Sequence, residues 1–487
     1  MTMVGKTLVG LTAALVCVTG PAFASTDSEV ENELAEMREL VEGLKQQVEA
    51  QEEQIHHQGE MLEDAQRVVR DVQSDVEDGT LSSLSDFWGA VDVNMSVAGS
   101  YAWNFANPDL ATGAGGFGPA RISGTPGIGA NNGRVAILPF HPDHNSFQID
   151  QVWFDIGKAP TEESRAGFHF TLLYGTTATF LGQGSSAGAR ARGDSTSDYY
   201  VHQAYVSYLA PLGEGVEVKF GKFGTLIGAE VADTTANNHI TLANLYQLFQ
   251  PIDHLGVMAS TSFGPVSITG AVVNEGTLAV SSPDVNKEKG YLGQIAFAAS
   301  DELSTAVTIL YTRDGPGLAG NAGLAPNVPG LGQNDRANGT LDFLLTYDSD
   351  AFSAYVNSDL FWIEGSGLAG WGIAVSGKVP ITDAFSAAAR LEYARDWDNV
   401  LGFGPAIPGI GGAPVFAPGR NSHIYSAVGT LAYEVAENLT VRGEVRWDRV
   451  KEDTSFPGVL EVDAFFSNTA GGREDQIVGL AQVIYAF

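Results

Sequence analysis

The chain has 487 residues, with 26 Lys and Arg against 58 Asp and Glu, a formal net charge of −32 and one cysteine, Cys17. Such acidity excludes nucleic acid as a partner, because the phosphates would be repelled. A lone cysteine excludes a disulfide framework or a thiolate metal site.

The amino terminus carries Lys6, an apolar run from Leu8 to Val18, and then Pro21-Ala22-Phe23-Ala24. A charged start, a short hydrophobic core and an A-x-A site predict a secretory signal peptide over residues 1–24. The run is too short for a membrane anchor, which needs roughly 20 residues.

Residues 25–79 change character. Between positions 27 and 78 there is no proline or aromatic residue, and Val30, Leu34, Met37, Val41, Leu44, Val48, Gln51, Ile55, Gln58, Leu62, Ala65, Val69, Val72 and Val76 recur at alternating steps of 4 and 3. Seven residues per two turns is the coiled-coil repeat, and Gln51 and Gln58 would fix its register. A solitary amphipathic helix is the plainer alternative, but strict 3.5 periodicity favours self-association; a homotrimer is expected mainly because barrels of the kind read below are often trimeric. The stretch holds 17 acidic against 4 basic residues, so it is solvated and placed in the periplasm. Residues 80–86 read as a linker.

From residue 87 to 487 the period becomes two. Val91, Val93, Met95, Val97, Gly99, Tyr101, Trp103 and Phe105 alternate with Asp92, Asn94, Ser96, Ala98, Ser100, Ala102 and Asn104. Fifteen alternating residues ending on aromatics suit a tilted transmembrane strand with an aromatic girdle. Similar alternation recurs over 166–174, 341–347, 371–379 and 439–448, whereas the faces of 148–156 are ambiguous. Short polar turns, such as Gly264-Pro265 and Asp348-Ser349-Asp350, alternate with mostly long links such as Ala106–Asn145 and Arg313–Asn338. That rhythm predicts an all-β fold: a transmembrane antiparallel up-and-down β-barrel of about 16 strands, preceded by an N-terminal α-helical coiled coil. Short turns are assigned to the periplasm and long loops to the exterior.

Lumenal chemistry follows from the polar faces. Arg442, Glu444, Arg446 and Asp448 share one strand face, and Arg390 and Glu392 share another. As pore-lining residues they either set an ion preference or hydrate the wall and neutralise one another. The link Gly224–Asp253 is too apolar for an exposed loop. It is expected to fold into the barrel as a constriction carrying Glu230, Asp233, Asn237, Asn238 and His239, with Glu230 and Asp233 as eyelet acids; a surface lid is the alternative. In the loop after the first strand, His141-Pro142-Asp143-His144 could ligate a metal but reads more simply as solvated, so no metal or other cofactor is expected. Arg190-x-Arg192 would project from an exterior loop toward lipopolysaccharide or a neighbour's acidic rim.

The last strand, Gln476 to Phe487, has an apolar face of Ile477, Gly479, Ala481, Val483, Tyr485 and Phe487. Its aromatic end resembles the terminal strand that the outer-membrane assembly machinery reads, which makes Tyr485 and Phe487 the expected assembly signal.

Gly221-Lys222-Phe223, Gly228-x-Glu230, Asn237-Asn238 and Pro251-x-x-His254-Leu255-Gly256-Val257 resemble the core motif of the outer-membrane β-barrel porins of the second type. The resemblance is strongest over about residues 200–265 and implies an outer-membrane porin passing small hydrophilic solutes or ions without enzymatic activity. A coil before a barrel is also the layout of TonB-independent siderophore porins. The acidic balance suggests a cation preference. An envelope tether reaching the cell wall through the rod is a second reading. Membrane lipid, lipopolysaccharide and the barrel-assembly machinery are the expected partners.

Overall fold

In the computed structural model the described residues are 88–105, 138, 140–141, 145–179, 181, 199–274, 288–313, 337–364, 367–397, 406–408, 414–416, 421–452 and 475–487, with isolated positions between 35 and 70. The chain divides into two units, Met1–Trp88 and Gly89–Phe487. In the first, every described position between 35 and 70 is helical and exposed. Arg67 pairs with Asp64, and His56 lies 3.8 Å from Glu60 one turn on. The expected signal peptide, the linker and all the seam positions of the coiled coil lie outside the described residues.

The second unit is a closed antiparallel barrel of sixteen strands, each paired with its neighbours in sequence and the first closing on the last. The strands are β1 (Asp92–Asn104), β2 (Ser146–Lys158), β3 (Ala166–Tyr174), β4 (Tyr199–Ala210), β5 (Val216–Gly224), β6 (Asp253–Phe263), β7 (Val266–Val273) and β8 (Gly290–Ala298). They continue as β9 (Leu303–Thr312), β10 (Asn338–Ser349), β11 (Phe352–Ile363), β12 (Gly367–Pro380), β13 (Phe385–Asp396), β14 (Ser422–Ala436), β15 (Leu439–Glu452) and β16 (Asp475–Ala486). A separate two-stranded hairpin, Ala406–Pro408 with Pro414–Phe416, sits in the link between β13 and β14.

Alternation sorts the side chains. On β1, Val93 and Val97 are exposed while Ser96, Ala98, Ser100, Ala102 and Asn104 are buried. On β15, Val441 and Val445 face outward and Glu444, Arg446 and Asp448 inward. An apolar exterior with a polar interior inverts the pattern of a soluble sheet and is what lipid outside and a polar lumen inside select. Met95 and Phe487 exchange both backbone hydrogen bonds, at 2.9 Å each, as the wall closes. Tyr485 and Phe487 are exposed on the outer face, their rings 5.9 Å apart.

The ambiguity on β2 has a physical cause. Ala98 pairs with Gln151 but Gly99 with Ile149, so Asp150 is an extra residue in a β-bulge. The bulge turns both Asp150 and Gln151 inward and reverses the parity of the strand. β4 does the same: Thr171 pairs with Gln203 and Leu172 with Val201, leaving His202 extra.

Candidate functional site

Gly224 ends β5, and the chain then turns into the barrel. The segment 225–252 carries a 3-10 turn, Thr234–Ala236, and a short helix, α1 (Asn244–Leu248), all five of whose residues are buried. Gly228 sets the entry with a φ of +94°; a Cβ there would lie 2.1 Å from Gln250 Oε1, so only glycine lets the two stalks of the loop cross this closely. Leu242, Leu245, Tyr246, Leu248, Phe249 and Ile252 pack with Trp153, Leu173, Tyr200, Phe361, Ala374, Ala394, Ile424 and Val450 from the wall, an apolar core inside the barrel. Gly372 leaves room on β12, since a Cβ at that position would lie 2.8 Å from Leu245 Cδ1.

Charged side chains fasten this core. Arg390 donates from Nη1 to Glu230 Oε1 at 2.5 Å and to the Thr241 carbonyl at 2.8 Å, and from Nε to Glu392 Oε1 at 2.8 Å. Glu230 also accepts from the Ala243 amide and from the Tyr355 hydroxyl at 2.9 Å. Glu392 accepts the Asn244 amide at the start of α1, where a carboxylate is favoured. Arg446 donates to the Leu242 carbonyl and to Asn244 Oδ1, each at 2.9 Å, with Asp448 holding its Nε. Glu444 accepts the Ile240 amide at 2.6 Å, the Thr241 amide at 3.1 Å and the Thr430 hydroxyl at 2.8 Å.

The remaining expected residues shape the loop. Asp233 caps the 3-10 turn, accepting from the Thr235 amide at 2.9 Å. Asn237 clamps Val231 through both its amide and its carbonyl, at 3.1 and 2.7 Å. His239 bridges the Thr430 hydroxyl at 2.8 Å and the Ser376 hydroxyl at 2.9 Å, and burial together with the guanidinium charges of Arg390, Arg442 and Arg446 holds its imidazole well below the ordinary range. Asn238 is half-buried. Arg442, half-buried, donates to the Thr234 carbonyl at 3.0 Å.

Two expectations change here. Glu230 is not an eyelet acid presented to water but is sealed in a buried ion pair, while Asp233, half-buried, caps a turn within its own loop. Arg390, Glu392, Glu444 and Arg446, expected along a wet wall, are at most 6% exposed beneath the loop. A strand face read alone shows inward charge but not what covers it.

Sequence reasoning missed several anchors. The bulge residue Gln151 grips the loop at the Ala232 carbonyl and the Thr234 amide. Gln250 donates to Asn357 Oδ1 at 2.9 Å and Asp359 Oδ2 at 2.8 Å. At the base of the loop Asp253 accepts from Tyr200 and faces Lys222 Nζ at 3.1 Å and His202 Nδ1 at 3.4 Å. The second bulge supplies His202, which periodicity could have located only as a break in phase. His141 sits 3.5 Å from Asp150, while positions 142–144 and Arg190 and Arg192 lie outside the described residues.

A family model described as putative beta-barrel porin-2, OmpL-like matches residues 91–487, nearly the whole of the barrel unit. The chain belongs to this family. Family and fold together place it in the bacterial outer membrane and point to a channel rather than an enzyme. Comparison with curated proteins finds no match. Among solved structures it is similar to OmpT of Vibrio cholerae, folded in vitro, at 11% identity and a TM-score of 0.46, covering 82% of this chain and 97% of that one. The outer membrane channel DcaP of Acinetobacter baumannii gives 11% identity, a TM-score of 0.46 and the same coverages. An anion-selective porin from Comamonas acidovorans gives 11% identity and a TM-score of 0.45, covering 82% and 99%.

Proposed function

We propose that this protein is an outer-membrane porin through which small hydrophilic solutes or ions cross passively, with the segment 225–252 setting the width of the passage. The observation that carries the reading is that this loop, inside a closed wall with an apolar exterior, is pinned to inward side chains on β2 and on β8 to β16. The ion-paired cluster around it comprises buried Arg390 and Arg446 and half-buried Arg442 against buried Glu230, Glu392, Glu444 and Asp448; three positive and four negative groups leave this cluster a net −1. That set is close to neutral and sealed, so the proposed cation preference draws on the overall −32 of the chain rather than on these residues.

The proposed assembly is a homotrimer with a coiled coil over residues 25–79 in the periplasm, contacts to outer-membrane lipid, and Tyr485 and Phe487 as the signal to the assembly machinery. Planar-bilayer recording on the purified full chain tests the channel. Stepwise ohmic conductance with a reversal potential of cationic sign in a salt gradient is expected. Absence of conductance would reject the porin, and clear anion selectivity would reject the cation preference.

A further inference from the structure

We propose that the inner wall of β10 and β11, together with the returning stalk of the lumenal loop, binds a calcium ion through Asp342, Asp359 and Gln250. Asp342 and Asp359 are register partners on neighbouring strands, both turned inward and both fully buried. Their carboxyl groups face each other. Gln250, 1% exposed, reaches them from the loop, its Nε2 donating to Asp359 Oδ2 at 2.8 Å and to Asn357 Oδ1 at 2.9 Å. Asn357 Nδ2 donates in turn to Asp342 Oδ1. The Gly228 amide and the Thr308 hydroxyl also face the Asp342 carboxylate, and Gly228 abuts Gln250 Oε1 where the stalks cross.

These contacts leave three oxygens over. Among the described residues, Asp342 Oδ2, Asp359 Oδ1 and Gln250 Oε1 are closed off from solvent and receive no hydrogen bond. Nor does either carboxylate form an ion pair with a described Lys, Arg or His. The lumenal guanidinium groups of Arg390 and Arg446 are taken up by Glu230, Glu392 and Asp448 instead. Two carboxylates brought together out of water therefore lack the counter-charge that burial demands. A single proton between them would satisfy two of the three oxygens and leave the Gln250 oxygen and one negative charge unanswered. A divalent cation answers all three and neutralises the pair.

The donor set names the class of ion. Carboxylate and amide oxygens with no nitrogen or sulfur among them are ligands for calcium or magnesium rather than zinc or copper. Magnesium gives up its waters reluctantly, and solvent does not reach these atoms, which selects calcium. With only two carboxylates the affinity falls at the weak end, a Kd of about 10⁻⁴–10⁻³ M. Bound there, the ion ties the returning stalk to β10 and β11, a second fastening beside the arginine pairs of β13 and β15. The inference rests on the docking of the loop and not on solute passage.

The test follows the thermal midpoint of the detergent-purified full chain, stripped with EDTA and then titrated with calcium chloride or magnesium chloride. Calcium is expected to raise the midpoint with its half-response in that range, and magnesium to act at least about tenfold more weakly. Asp359→Asn should invert the order of stability. In EDTA it is at least as stable as wild type, because a repulsion is gone, and in saturating calcium it is less stable. Gln250→Glu, which adds a third carboxylate, should bind calcium severalfold tighter, and it serves if the first variant does not assemble. Asp348→Asn removes an exposed carboxylate from the same strand and should titrate as wild type does. A wild-type midpoint that ignores calcium overturns the proposal. So do equal responses to the two ions, or equal calcium gains in wild type and Asp359→Asn. No bilayer enters the measurement, so failure of this site and failure of the channel are distinguishable.

Discussion

Arg390 is the side chain on which the lumenal loop depends most. It is fully buried and joins the wall to the loop through Glu230 and the Thr241 carbonyl. Arg390→Ala would leave two buried carboxylates, Glu230 and Glu392, without their partner, at a cost of about 3–5 kcal/mol. The expected outcome is a higher single-channel conductance and proteolysis between positions 224 and 253. Arg390→Met/Glu230→Gln, which removes the cation and one of the two stranded carboxylates, should recover part of the lost stability, and a double-mutant cycle on thermal midpoints measures the coupling. His239 supplies the pH dependence. Its folded pKa lies below the roughly 6.5 of an unfolded histidine, so the docked loop is favoured by a neutral imidazole above that pH. As pH falls below about 6.5 the undocked chain binds the proton first, and docking weakens until the folded pKa is passed. Conductance should therefore rise between pH 7 and pH 5 in the wild type, and His239→Asn should flatten that rise.

The unit that acts is the loop together with the wall faces that receive it. Gly228→Ala would force a β-carbon onto the Gln250 amide at a positive φ, a strain of about 1–3 kcal/mol, and should loosen the loop where its stalks cross. Gly372→Val would push against Leu245 and Phe249 and lift α1 from β12. Replacing residues 226–251 by a short Gly/Ser linker removes the apolar core from the lumen. The expected result is a severalfold larger conductance with the barrel still folded, checked by its β-type circular dichroism. An unchanged conductance would show that the loop does not set the passage.

The molecule as a whole joins an N-terminal unit, helical at its described positions between 35 and 70, to a barrel that closes on its own last strand. Deleting residues 27–78 should leave unitary conductance unchanged, because the barrel wall is complete without them. Loss of envelope attachment with no channel activity in the intact chain would favour the tether instead. Removing Phe487 takes away the two backbone hydrogen bonds to Met95 at the seam and one of two outward aromatic rings. The expected outcome is a smaller yield of folded barrel in the outer membrane, read by heat-modifiable migration of the membrane fraction.

Period-two alternation and the rhythm of short and long links determined the closed barrel and its strand number from the sequence alone. Each strand responds locally to lipid on one side and polar lumen on the other, so its order of residues records both solvents. The apolar content of Gly224–Asp253 likewise marked the lumenal loop in advance, because an apolar segment must find somewhere dry to fold. What only the tertiary structure decided was the state of the inward charges. Whether Arg390, Glu444 and Arg446 face water or a covering loop depends on residues far away in sequence, such as Ile240, 204 positions from Glu444, and no local pattern encodes that distance. The two bulges were hidden for a related reason: an inserted residue reverses strand parity, and only the neighbouring strand reveals where the count slips.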